Sequence, residues 1–170
     1  GILQSMRIQQ AAGLNGNRYA TFHQLGKEQA QKLHEDDRLY DVGDTIFIGS
    51  TPLGNSSLSL YLREYHDNAL SMYPAIGNVK EGRLPEEAIE IALSEDALQY
   101  LGLDAVIGDT VSLDLSVSVM DGSLSELEYS ADFVLTGILE SSYIGYASGT
   151  VEGIVGEGTA EELLLSLIHI

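Results

Sequence analysis

Histidines, serines, carboxylates and a Gly-rich stretch are the parts of this chain that chemistry would draw on. His23, His34, His66 and His169 include no pair at the His-x-x-x-His spacing that puts two metal ligands on one helix face. His34 beside Glu35-Asp36-Asp37 could touch a cation, but a solvated turn accounts for that run more simply. The serines form no Gly-x-Ser-x-Gly elbow, and nothing in the residue order favours a Ser-His-Asp triad. Gly153-Ile154-Val155-Gly156-Glu157-Gly158 has neither the Gly-x-Gly-x-x-Gly spacing nor the Lys-Ser/Thr ending of a phosphate loop, and Glu157 would repel a phosphate. Carboxylate pairs for glycoside chemistry are defined in space, so sequence distance does not reveal them. No run of alternating acids ends in Glu as a calcium loop does. Tyr61, Tyr65 and Tyr73 are close enough in sequence for an exposed aromatic patch, though packing at the core or its rim is the simpler reading. These residues name no catalytic side chain, no metal ligand and no cofactor site, and the chain reads as a non-enzyme.

Charge says more. Lys+Arg 8 against Asp+Glu 26 leave a net charge of −18 in 170 residues. Such a surface repels nucleic acid and anionic headgroups and favours cationic peptides, metal ions or a basic protein face. All the basic residues (Arg7, Arg18, Lys27, Lys32, Arg38, Arg63, Lys80 and Arg83) precede Leu84, so the second half is purely acidic. There is no cysteine, which excludes disulfides and thiolate chemistry. Gly1 to Met6 is short and mixed rather than a leader, and no run approaches the ~18 apolar residues of a membrane span, so the chain as written reads as water-soluble.

The elements that would position any site follow from periodicity. Strong helix formers over Gly26–Asp37 predict a helix, and Asp67–Met72 a single turn before Pro74. Leu39–Gly49 and Leu58–Leu62 predict strands, and Glu81–Pro85 a turn. Ala88–Leu93 predicts a strand running into a short helix over Ser94–Gly102, with Ser94 as N-cap and Gly102 as stop. Val106–Asp109 is a turn. Thr110–Val119 alternates as a half-buried strand, Asp121-Gly122 marks a hairpin, and Leu127–Glu140 returns with Tyr129, Ala131, Phe133 and Leu135 on one side. After Ser141 the chain is Gly-rich, and Thr159–Leu167 predicts a last helix. The expected class is α+β, with mixed or antiparallel strands and short helices. One echo stands out: Asp41-Val42-Gly43-Asp44-Thr45-Ile46 against Val106-Ile107-Gly108-Asp109-Thr110-Val111, which shared turn chemistry explains.

From Glu81 the text reads E-G-R-L-P, E-I-A-L-S, A-L-Q-Y-L-G-L, I-G-D-T-V and F-V-L-T-G-I-L in that order. This string resembles the extracytoplasmic domain of MacB/FtsX-like ABC-transporter permeases. More loosely, Tyr19 after a glycine, the Leu25-Gly26-Lys27-Glu28-Gln29 run and Asp41-Val42-Gly43 with Ile48-Gly49 are similar to such permeases from low-GC Gram-positive bacteria. The resemblance implies a MacB-like periplasmic or extracellular core domain, inserted between two membrane helices of a parent permease, with both chain ends on one face. It implies no catalytic residue here, a cytoplasmic ABC ATPase as partner, and work outside the membrane: substrate export, peptide sensing or resistance, or activation of a partner. A basic peptide or protein on the acidic second half and a permease dimer are compatible with it. Residues 1–5 read as a remnant outside the domain, 6–142 as the domain itself (two lobes at about 6–78 and 79–142), and 143–170 as a segment without counterpart in the family pattern. The rival expectations are a secreted or surface-attached binding module and, further off, an extracellular hydrolase.

Overall fold

Period-two alternation dominates this chain, and strands dominate its fold. The computed structural model describes residues 20–22, 45–66, 78–120, 124–141 and 146–168. In chain order the elements are β1 (Ala20–Phe22), β2 (Thr45–Pro52), β3 (Ser59–Tyr65), β4 (Val79–Gly82), β5 (Glu90–Ser94), α1 (Glu95–Tyr100), β6 (Thr110–Met120), β7 (Leu124–Leu139), β8 (Thr150–Val155) and α2 (Thr159–Ile168). A 3₁₀ turn at Tyr146–Ser148 leads into β8.

Six strands close a barrel in the order β7-β5-β8-β3-β2-β6, and β6 pairs back onto β7. β1 lies outside this ring against β7 (Ala20↔Ala131), and β4 flanks the C-terminal end of β7 (Val79↔Leu139). The β3–β8 and β5–β7 junctions are parallel, while the others are antiparallel. Inward positions are filled by Leu60, Leu62, Ile91, Leu93, Leu113, Leu115, Phe133 and Leu135, all buried in one core. Each such side chain contributes about 1.5–3 kcal/mol by leaving water.

The pairing pattern maps onto itself when β2 exchanges with β6, β3 with β7 and β5 with β8. In each half a hairpin lends its second strand to a parallel partner, and that partner runs into a helix. The Gly-Asp echo falls at matching places in this scheme, leading into β2 and into β6. Asp41–Asp44 lie outside the described residues; Thr45 and Ile46 open β2.

Local signals set the smaller features. The Ser94 hydroxyl accepts from the Ala97 amide at 3.1 Å and caps α1, whose first turn carries Glu95 and Asp96. Gly102 stops the helix with φ 72°, a conformation that costs glycine little.

The expected mixed strands and short helices are present, but the fold is mostly β, because the sheet closes on itself and the two described helices are short. β6 departs from the half-buried expectation. Its outward Ser112, Asp114 and Ser116 are as buried as its core face, as are Ser130 and Asp132 on β7. Cross-strand hydrogen bonds make this tolerable: Ser112 Oγ donates to Asp132 Oδ1 and Ser130 Oγ to Asp114 Oδ1, each at 2.6 Å. The predicted turn at Glu81–Pro85 is strand up to Gly82, since β4 pairs with β7. The helix expected over Gly26–Asp37, the turn at Asp67–Met72 and the Asp121-Gly122 tip lie outside the described residues. β6 and β7 pair up to Met120↔Leu124. No helix among the described residues is long and apolar enough to cross a membrane.

Candidate functional site

The densest polar cluster lies where β3 meets the start of α2. β3 alternates Leu60, Leu62 and Glu64 toward the interior, so its pleat carries a carboxylate into the core, where Glu64 is only 1% exposed. The acid is satisfied by backbone donors. Glu64 Oε1 accepts from the Ala160 amide at 2.8 Å and Oε2 from the Gly158 amide at 2.9 Å. These are N–H groups that the first turn of a helix leaves unpaired, at the positive end of its dipole.

The shell around that contact is also polar. His66 Nε2 hydrogen-bonds Glu64 Oε2, and its Nδ1 stands 3.5 Å from Glu157 Oε1. Thr159 Oγ1 donates to the Gly156 carbonyl at 2.6 Å and accepts from the Ile89 amide at 2.8 Å. Ile89 has φ 64°, a rare conformation for a β-branched residue, held by that bond and by the Val134 amide donating to its carbonyl at 2.9 Å. Gly156 admits the Glu87 backbone so closely that a Cβ there would stand 1.9 Å from the Glu87 oxygen. Chemically the cluster is a buried acceptor holding a helix start, with an imidazole between it and a second carboxyl group.

No family model matches the chain, and no curated protein matches it.

A second polar frame braces β4 to β5. Arg83 Nη1 and Nη2 donate to the two Glu90 oxygens at 2.9 and 2.7 Å, and Glu90 Oε1 also accepts from the Glu86 and Glu87 amides, each at 2.9 Å. These bonds, the guanidinium's first, hold the Glu90 carboxyl down at a pKa of about 2 against the opposing effect of burial. Lys80 Nζ bonds Glu95 Oε1 at 2.8 Å. On the outer face of β2 and β3, Arg63 lies 5.3 Å over the Phe47 ring and 3.5 Å from Glu152, whose carboxyl is pushed up by burial despite that cation.

The sequence named no site residue, and the Glu64–His66–Glu157 cluster was missed. Its signal was present: Glu64 continues the alternation of Leu58, Leu60 and Leu62, and an acid at an inward position demands buried donors. His23, His34 and His169 lie outside the described residues, as does Tyr73. Tyr61 meets Phe47 in a tilted contact with ring centroids 5.5 Å apart, and Tyr65 packs against Ala92, Leu139 and Ile154, so both serve packing. Among the described residues no three His, Asp or Glu side chains group as metal ligands.

Proposed function

We propose that this chain is the extracytoplasmic domain of a MacB/FtsX-like ABC-transporter permease. In this reading it is a non-catalytic module on the outer side of the cell membrane, coupling cytoplasmic ATP hydrolysis to export, peptide sensing or partner activation. Its partners are the ABC ATPase, through the parent permease, and a basic ligand on the acidic half; its fold is a MacB-like core.

The observation that carries the reading is the ordered string from Glu81 to Leu139, each piece of which falls on its own element. Gly82-Arg83-Leu84-Pro85 leaves β4, E-I-A-L-S is β5, and A-L-Q-Y-L-G takes in the last four residues of α1 and its stop. I-G-D-T-V turns into β6, and F-V-L-T-G-I-L ends β7. The motif glycine Gly82 is sterically required, since a Cβ there would stand 2.2 Å from the Thr136 carbonyl oxygen. The ends of the chain, which the permease reading puts on one face, lie outside the described residues.

The test is the parent protein. Membrane segments of about 20 apolar residues should flank the domain. The purified permease should bind an ATPase subunit whose turnover in a lipid bilayer changes when this domain is deleted. A parent chain with no membrane segment, or an ATPase indifferent to the deletion, defeats the reading.

A further inference from the structure

The large apolar side chains exposed among the described residues are Tyr100, Val106 and Ile107, and two of them stand side by side on one turn, Val106 at 61% and Ile107 at 37% exposure. That turn is rigid. The Val106 amide donates to Asp109 Oδ2 and the Asp109 amide to the Val106 carbonyl, both at 3.0 Å. On the barrel side the Gly108 amide donates to the Leu135 carbonyl at 2.8 Å, and the Leu135 amide to the Asp109 carbonyl at 2.9 Å. The turn's chemistry needs only its glycine and aspartate. Polar side chains would serve the other two positions equally well, yet the sequence holds two aliphatics out in water on a fixed backbone.

Exposed acids neighbour them along the chain: Asp104 lies two and three residues before Val106 and Ile107, and Glu81 precedes Gly82, whose absent Cβ would stand 2.8 Å from Ile107 Cδ1. The nearest bases in sequence, Lys80 and Arg83, are already engaged by Glu95 and Glu90.

We propose that the Val106–Asp109 turn is a docking knuckle for a basic protein segment, which covers Val106 and Ile107 with an apolar side chain and sets lysines or arginines against Asp104 and Glu81. Charge complementarity selects this occupant, since a second copy of so anionic a chain would be repelled. The proposal rests on the reading that the acidic half meets a basic partner, and gives that partner a place.

The test titrates the whole isotope-labelled chain, followed by NMR, with three peptides of equal length: alternating Lys/Leu, oligolysine, and alternating Ser/Leu. The Lys/Leu peptide should shift the amides of residues 104–109 and bind about tenfold more tightly than either other peptide. V106S, which leaves every bond of the turn in place, should abolish the advantage over oligolysine, and E81Q/D104N should weaken binding and flatten its salt dependence. Unchanged affinity in V106S, equal binding of the Ser/Leu peptide, shifts centred elsewhere, or self-association through the turn would each overturn the proposal. If oligolysine also fails to bind, the basic-partner reading falls with it. Membership of the permease class is judged separately, on the parent chain.

Discussion

Glu64 and Ala160 are ninety-six residues apart in the chain, and a 2.8 Å hydrogen bond from the Ala160 amide to the Glu64 carboxylate fastens α2 to β3. With Gly158 bonded to the other oxygen, one buried acid satisfies two donors that the helix cannot satisfy itself. Glu64→Ala should therefore cost about 3 kcal/mol, since two buried amides lose their acceptor. Glu64→Gln, which keeps one acceptor oxygen, should cost less. Urea denaturation measures both, and hydrogen exchange at Ala160 should accelerate in the alanine variant well before global unfolding. Equal stability of the two variants would show that the carboxylate is not what holds the helix.

Arg83 and Glu90 set an acid limit on stability. The Glu90 carboxyl titrates near 2 in the folded chain against an ordinary 4.5, so the unfolded chain takes up its proton first. The pair's contribution is complete above about pH 5, declines as pH falls from 4.5 toward 2, and is gone below that. Glu90 is 12% exposed beneath a half-exposed guanidinium, and solvent screening trims the effect to on the order of 2 kcal/mol. Denaturation midpoints between pH 2 and 6 should fall less steeply in Glu90→Gln than in the parent chain. Parallel curves would remove Glu90 from the account.

Local features of this fold were legible and its closure was not. The Ser94 cap, the Gly102 stop, the Val106–Asp109 turn and the β6–β7 alternation are dictated by residues within a few positions of one another, so the sequence states them directly. The barrel depends on parallel pairing of β3 with β8, segments about ninety residues apart, and alternation does not say which strands will meet. Burial of Ser112, Asp114 and Ser130 was hidden for a similar reason: their polarity reads as solvent exposure until the cross-strand partner is known. The Gly-rich run after Ser141 pointed to no element. In the fold Gly153 faces Leu62 and Leu93, and Gly156 the Glu87 backbone, so these glycines mark close packing inside the barrel wall. The site was half legible, because Glu64 breaks an apolar series, while its donors come from the far end of the chain.

Tyr129 sets the alkaline limit. Its hydroxyl donates to the Ile48 carbonyl at 2.5 Å, and full burial pushes its phenol well above the ordinary range near 10. Above that ordinary value the unfolded chain loses the proton while the folded one keeps it, so stability falls as pH rises. The Tyr129 phenolate should thus appear in absorbance only together with loss of the fold. Tyr129→Phe should remove that phase and cost about 1 kcal/mol at neutral pH through the orphaned carbonyl. A phenolate forming at Tyr129 in the intact barrel would contradict the burial.

Two glycine substitutions separate backbone strain from steric exclusion. At Gly102 an added Cβ meets nothing within 4 Å, and only the positive φ opposes it. Gly102→Ala should therefore cost about 1 kcal/mol. At Gly156 the Cβ would fall 1.9 Å from the Glu87 oxygen and 2.7 Å from its carbonyl carbon, backbone atoms tied to β5 through the Glu90 amide. Relief requires parting the loop before β5 from the end of β8, and this loosens the Gly156–Thr159 bond at the start of α2 as well. Gly156→Ala should cost more than about 3 kcal/mol, with a lowered denaturant slope if β8 detaches from the barrel. Equal losses at the two positions would mean that β5 and β8 can separate cheaply, and the tight seam beneath the Glu64 cluster would then have to be given up.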